Sequence, residues 1–246
     1  MKRKDVMILT LTPGILVILM IVFFLLQFGN ATKDFKLIDN KEITKGIFSV
    51  QGKIVNIYLI KMDDGNYISI DAGDEPDVIK KNLDKLKISP DKVNIVFLTH
   101  SDFDHAGALD LFKNAKVYVS EKEEDVMNGK IRRSLLFTNK PISKPYTKMN
   151  ENEIIEFGTI KIKGIPSYGH TPGSFSFLVN DKFLFSGDNL LLKNNKAGTF
   201  PRFFTKDTNT QKKSIKELAK LENIKYIFTA HSGYSENFDE AMKSWK

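Results

Sequence analysis

Thr99-His100-Ser101-Asp102-Phe103-Asp104-His105-Ala106-Gly107 follows directly on the apolar run Val93-Asn94-Ile95-Val96-Phe97-Leu98. Such a run reads as a strand buried on both faces, and the polar donors crowd into the turn at its end. The chain has four histidines in all, and two of them, His100 and His105, lie here with Asp102 and Asp104 between them. The other two stand in Tyr168-Gly169-His170-Thr171-Pro172-Gly173 and Thr229-Ala230-His231-Ser232-Gly233, again beyond apolar or alternating runs and beside small residues. No histidine is left for ordinary surface or core duty.

Upstream of this segment the pattern predicts strands over Ile43–Val50, Ile54–Lys61 and Asn66–Asp71, with Asp63-Asp64-Gly65-Asn66 as a turn. Helical spacing of Val78, Ile79, Leu83 and Leu86 predicts a helix from Pro76 to Leu86. Downstream, a short helix is expected over Ala106–Phe112, a strand over Lys116–Ser120 and a helix near Glu121–Asn128. The stretch from Glu121 to Met149 is otherwise weakly patterned. Strands resume over Glu153–Phe157, Thr159–Ile165, Ser174–Val179 and Phe183–Ser186; Asp207–Leu221 reads as an amphipathic helix, Tyr226–Thr229 as a last core strand and Phe238–Trp245 as a closing helix. Strands in both halves with helices between them suggest two sheets packed face to face with helices outside. His100, His170, Asp188 and His231 each follow a strand within a few residues, so strands ending at one rim would bring them together.

The first 30 residues are a separate object. Met1-Lys2-Arg3-Lys4 precedes an uncharged, predominantly apolar stretch from Val6 to Phe28, long enough for a hydrocarbon core of roughly 30 Å at about 1.5 Å per residue. The chain is therefore divided into residues 1–30, a transmembrane anchor or signal segment, and residues 31–246, the soluble domain. An uncleaved single-pass anchor is the preferred reading, because the apolar stretch exceeds that of a secretory signal; cleavage after Ala31, with secretion, is the alternative. The cationic cluster places the amino terminus in the cytoplasm and the domain outside it. The chain has no cysteine, which fits that location and removes thiolate ligands and thiol nucleophiles. The net charge of +7 is spread over lysines alternating with acids, as in Glu121-Lys122-Glu123-Glu124, and reads as solvated surface. Without basic tracts interleaved with stacking aromatics, nucleic acid is not an expected partner.

A histidine after a strand is usually a turn or surface residue, and an aspartate before glycine usually a cap; seven such donors at strand ends make a stronger pattern. In that order the chain resembles the metallo-β-lactamase superfamily of metallohydrolases. His100 to His105 match its His-x-His-x-Asp-His signature except at position 102, His170 precedes Thr-Pro-Gly, Asp188 lies in Ser186-Gly187-Asp188, and His231 follows the last core strand. The resemblance covers residues 40–240. It implies an α+β fold, a four-layer αββα sandwich behind the N-terminal transmembrane helix, with a dinuclear metal site at the edge of the sheets. It further implies that His100, Asp102 and His170 hold one divalent ion, that Asp104, His105 and His231 hold a second, and that Asp188 bridges them. Two zinc ions are the expected cofactors. Asp102 stands where most members have histidine, and its hard oxygen makes manganese or iron more competitive. Asp71 is expected to orient the site from behind.

The implied reaction is hydrolysis of an ester, lactone, thioester or phosphoester by a metal-bound hydroxide, with Asp104 as the catalytic residue that orients the nucleophile or takes its proton. The segment Leu190–Lys206, with Lys193, Lys196, Arg202, Lys206 and three phenylalanines, reads as a solvated loop or as a lid for a small, anionic, partly apolar substrate. Two other readings stay open. One is a di-iron oxidoreductase of the same fold, because a glutamate occupies the position of Asp102 there. The other is a membrane-tethered metal-binding protein without turnover. The oligomeric state has no signature in the sequence.

Overall fold

A computed structural model describes residues 13–133, 138, 139, 141, 142 and 144–246. The cationic cluster Lys2-Arg3-Lys4 and the start of the apolar stretch lie outside the described residues. The chain separates into two units, Met1–Lys33 and Asp34–Lys246. In the first, helix α1 (Pro13–Thr32) has a mean hydropathy of 2.3 over Gly14–Thr32 and is long and apolar enough to cross a membrane.

The second unit opens with a hairpin, β1 (Lys41–Thr44) and β2 (Ile47–Gln51), where the sequence pattern suggested one strand. The reason is local: Gly46 takes φ 79° and turns the chain. Strands β3 (Asn56–Lys61) and β4 (Tyr67–Ile70) continue antiparallel. Helix α2 (Pro76–Lys85) then carries the chain over, and β5 (Val93–Leu98), β6 (Lys116–Ser120) and β7 (Tyr146–Met149) add in parallel. The seven strands lie in sequence order. Strand β7 falls in the stretch whose pattern was weak. The helix expected over Ala106–Phe112 does not form: α3 (Phe103–Ala106) is one turn, followed by a separate 3-10 turn at Leu109–Leu111. At the break between the two turns the backbone bonds to the segment after β4, with Ala72 N–H donating to the His105 carbonyl and Ala108 N–H to the Gly73 carbonyl. Helix α4 (Glu124–Met127) continues a 3-10 turn from Glu121.

The second sheet contains β8 (Ile154–Phe157), β9 (Ile160–Pro166), β10 (Phe175–Val179), β11 (Phe183–Phe185), β14 (Tyr226–Thr229) and β15 (Gly233–Ser235), in the order β15-β14-β11-β10-β9-β8. Between β11 and β14 lie a two-stranded hairpin, β12 (Leu190–Lys193) with β13 (Lys196–Thr199), and helix α5 (Thr208–Ala219), whose first turn is capped by Asp207. Helix α6 (Phe238–Met242) and a 3-10 turn close the chain.

Alternation along the strands builds three apolar layers. Ile68, Ile70, Ile95, Phe97 and Tyr118 of the first sheet meet Ile162, Phe175, Phe177, Phe185 and Phe228 of the second. The other face of the first sheet packs Leu59, Val96, Leu98 and Val117 on Ile79 and Leu83 of α2. The other face of the second packs Leu178, Leu184 and Ile227 on α5 and α6. This is the four-layer αββα sandwich. At its centre Phe97 stacks on Tyr118 at 4.8 Å and meets Phe177 across the sheets at 5.2 Å. Phe97→Ala is expected to cost about 3–5 kcal/mol of folding free energy, read as a lower urea midpoint; a loss below about 1 kcal/mol would contradict this central placement.

Candidate metal centre

The chain ends of the core strands converge at one rim. Asp71 follows β4, His100 to His105 follow β5, His170 follows β9, Asp188 follows β11 and His231 follows β14. All seven donors predicted from the sequence come together, in two groups: His100, Asp102 and His170, and Asp104, His105, Asp188 and His231. Close packing behind them demands glycine. A Cβ on Gly187, which takes φ 51°, would lie 2.6 Å from the Thr99 hydroxyl, and one on Gly173 would lie 2.2 Å from the Glu123 backbone nitrogen.

Four donors tetrahedrally placed at 2.0–2.1 Å from one ion stand about 3.3–3.4 Å apart. In the second group Asp188 Oδ1 lies 3.4 Å from His105 Nε2 and 3.1 Å from His231 Nε2. Asp104 Oδ2 lies 3.4 Å from His231 Nε2 and 3.7 Å from His105 Nε2. The first group is as tight: His170 Nε2 lies 3.1 Å from His100 Nε2 and 3.2 Å from Asp102 Oδ2. Asp188 Oδ2 turns toward it, 3.4 Å from His170 Nε2, so the two oxygens of one carboxylate address different groups.

The backs of the rings fix which nitrogen faces inward. His105 donates from Nδ1 to Asp71 at 2.8 Å, and His231 donates from Nδ1 to the Ile54 carbonyl at 2.6 Å. His100 Nδ1 meets the Thr99 hydroxyl at 3.0 Å, and that hydroxyl donates to Asp71. Asp71 itself takes φ 63°, a strained conformation for a side chain with a Cβ, and also accepts the Thr99 N–H at 2.7 Å. It thus orients two rings at once. In the second group His105 Nε2, His231 Nε2 and Asp188 Oδ1 are buried without a hydrogen-bond partner. Three orphaned buried donors around one point are costly unless something electron-poor binds them; this group fits a divalent ion. The first group differs, because Arg133 Nε contacts both oxygens of Asp102 at 3.0 and 2.8 Å and Arg133 Nη2 lies 2.8 Å from His170 Nε2.

Burial disfavours the aspartate charges, yet the imidazoles of His105 and His231 hold Asp104 below the usual carboxylate range, and those of His231, His105 and His170 hold Asp188 well below it. Burial also favours neutral rings, but Asp188 and Asp104 outweigh it at His231, whose pKa is pushed up to about 9. At His170 burial and the charge of Arg133 act together and lower the pKa to about 3.

Sequence reasoning missed several contributors. Glu123 stands in the run read as solvated surface but is fully buried, accepting Ser101 N–H at 2.9 Å and the hydroxyls of Ser101 and Thr171 at 2.7 and 2.6 Å. It ties the His100 and His170 loops together, and burial pushes its carboxyl up. Arg133 and Asn139, which donates to Asp102 at 3.0 Å, come from the weakly patterned stretch. The segment Leu190–Lys206 is no simple loop: it contains the β12–β13 hairpin, and Phe200 is buried edge-on to His170 at 5.0 Å. Phe35 stacks on His231 at 4.5 Å. Lys193, Lys196, Arg202 and Lys206 are exposed. Tyr168 is engaged elsewhere, donating to Glu151 at 2.7 Å.

Residues 50–231 match the family model of the metallo-beta-lactamase superfamily. The chain belongs to that superfamily. It is 32% identical over 160 residues to a probable metallo-hydrolase of Methanocaldococcus jannaschii, covering 65% of this chain and 67% of the relative. It is 27% identical over 150 residues to a hydroxyacylglutathione hydrolase of Dictyostelium discoideum, covering 54% of this chain and 50% of that protein. Among solved structures, a HARLDQ-motif mutant of the Cronobacter sakazakii metallo-beta-lactamase superposes with a TM-score of 0.66 at 16% identity, covering 85% of this chain and 94% of the other. A metallo-beta-lactamase family protein of Thermus thermophilus gives 0.63 at 18% identity, with 82% and 79% covered. The protein is a metallo-β-lactamase-fold hydrolase, and the fold implies divalent metal ions, often zinc.

Two outcomes follow for this centre. With the His231 pKa at about 9 and His105 also held protonated by the carboxylates around it, an ion binding there near neutral pH displaces protons, so affinity should rise with pH by up to about tenfold per pH unit for each proton released. Chelator competition from pH 6.5 to 9.5 reads this, and a flat profile would refute it. Asp71→Asn should weaken binding by about 10–100-fold while leaving the far-ultraviolet dichroism unchanged; unaltered affinity would show that Asp71 does not orient His105.

Proposed function

We propose that this chain is a membrane-tethered metallo-hydrolase that cleaves a carboxylic ester, lactone or thioester at a dinuclear centre, with zinc as the first choice of ion. The observation that carries this reading is the set of orphaned donors, His105 Nε2, His231 Nε2 and Asp188 Oδ1, beside a second group reached by the other oxygen of Asp188. His100, Asp102 and His170 would hold one ion, Asp104, His105 and His231 the other, with Asp188 shared between them. Bound there, such ions polarise the scissile oxygen and make water acidic enough to ionise near neutral pH.

The chain's own residues supply the rest. Asp104 would accept the proton of the attacking water and fix its direction. Asp71 and Ile54 hold the imidazoles in the tautomer that turns Nε2 inward. Phe35 and Phe200 shield His231, which strengthens the local electrostatics by excluding water. With Phe203 and Phe204 beside them, they favour a substrate with an apolar acyl group, while the exposed Arg202 and neighbouring lysines suit an anionic partner. The hydroxyacylglutathione hydrolases among the relatives place thioesters first in the panel to test. In this reading residues 1–30 anchor the chain, with residues 31–246 forming the extracytoplasmic hydrolase domain.

Stripping metal with a chelator should abolish hydrolysis, and one added divalent metal should restore it. Asp104→Asn should lower kcat by about 10²–10⁴-fold against the best of a panel of thioesters, lactones, carboxylic esters and phosphodiesters. Metal-loaded protein that turns over none of the panel would favour a binding role, and oxygen consumption by an iron-loaded preparation would favour an oxidoreductase.

A further inference from the structure

The two donor groups differ in one respect that the seven residues alone do not explain. Among the described residues, the Asp104–His105–Asp188–His231 pocket has three inward atoms with no hydrogen-bond partner. The His100–Asp102–His170 pocket already faces a cation of the protein's own. Arg133 is 8% exposed, and its Nε stands 3.0 and 2.8 Å from the two oxygens of Asp102. Its Nη2 lies 2.8 Å from His170 Nε2 and 3.2 Å from His170 Nδ1. Near-equal distances to both ring nitrogens place that group against the imidazole rather than along one lone pair. The same Nη2 donates to the Phe204 carbonyl, and Lys206 Nζ donates to the neighbouring Arg132 carbonyl at 2.8 Å, so the arginine is held on three sides.

We propose that Arg133 is a tethered cation of the His100–Asp102–His170 pocket, which lowers that pocket's affinity for a divalent ion and makes the two pockets load unequally. A guanidinium does not lose its charge at any ordinary pH. It repels a second cation across a few ångströms of poorly screened space, and it competes for lone pairs of Asp102 that an ion would need. The same contact accounts for the carboxylate at position 102: a partly buried aspartate is tolerated where a fixed cation pairs with it, and an imidazole in its place would leave Arg133 without a counter-charge. Asp102 and Arg133 are therefore one unit, and Arg133 is a positioning residue rather than a ligand. This inference rests on the metallo-hydrolase reading above.

The test is stepwise metal binding to the full chain in detergent, stripped with chelator and titrated with zinc, with stoichiometry checked by elemental analysis. The wild type should bind one equivalent at least about tenfold more tightly than the second. His231→Ala should remove the tight step and His170→Ala the weak one. Arg133→Met should strengthen the weak step by about tenfold without moving the tight one. Arg133→Gln, which keeps polar contacts but not the charge, should do the same and serves if the methionine variant does not fold. Two wild-type equivalents of indistinguishable affinity would overturn the inference alone, as would a folded charge-free variant with an unchanged weak step. Protein that binds no zinc in either step would overturn the metallo-hydrolase reading as well.

Discussion

Three aspartates, Asp102, Asp104 and Asp188, are brought together at a rim with four imidazoles, beside Phe35 and Phe200. Negative charge at that density has to be compensated within a few ångströms, or the strands that carry it would not close. The chain does so with its own groups before any ion is considered. Arg133 neutralises Asp102, and the carboxylates of Asp104 and Asp188 hold protons on His231 and His105 against the cost of burial. Much of what surrounds the site serves this requirement: Phe35 and Phe200 limit solvent, and the bonds behind the rings limit their rotation.

The sandwich makes the arrangement reproducible. Parallel neighbours β4 and β5 end side by side, as do β11 and β14 across the core, so four loops start from a rigid frame of stacked aromatics. Each loop is then fastened to another loop. Asp71 is tied to Thr99 and through it to His100; Glu123 joins the loops of His100 and His170; Ile54, just ahead of β3 at the same rim, fixes His231. Positions such as Gly187 and Gly173, where a methyl group would strike a neighbouring strand or loop, show how closely these segments approach.

Such fastening explains what could be read from the sequence and what could not. His100, His170, Asp188 and His231 were legible because each stands just after an apolar strand, where periodicity breaks off into polar residues. Strand β5 was legible because both its faces are buried. The β1–β2 hairpin and the broken turn after Asp102 were not, because a single glycine or backbone bonds to a distant segment override local pattern there; nor was the β12–β13 hairpin, which turns on Asn194 and Asn195, both at positive φ. Glu123 and Arg133 illustrate the harder limit. Each lies among charged residues of the kind that usually face solvent, and only tertiary contacts with Ser101, Thr171, Asp102 and His170 turn them inward. No spacing rule reports a partner 22 to 48 residues away.

Asp102 is where these lines meet. Read as a departure from a family signature, it suggested a harder donor and a change of metal. With Arg133 Nε across both of its oxygens and Asn139 donating to one of them, the residue has a different physical character. Its charge is largely committed within the protein, so it offers an incoming ion less than a free carboxylate would. An imidazole at that position would offer a full lone pair without needing a counter-charge. The substitution therefore does not simply exchange nitrogen for oxygen. It couples the first donor group to the segment carrying Arg133 and, through the Phe204 carbonyl, to the aromatic wall over His170 and His231.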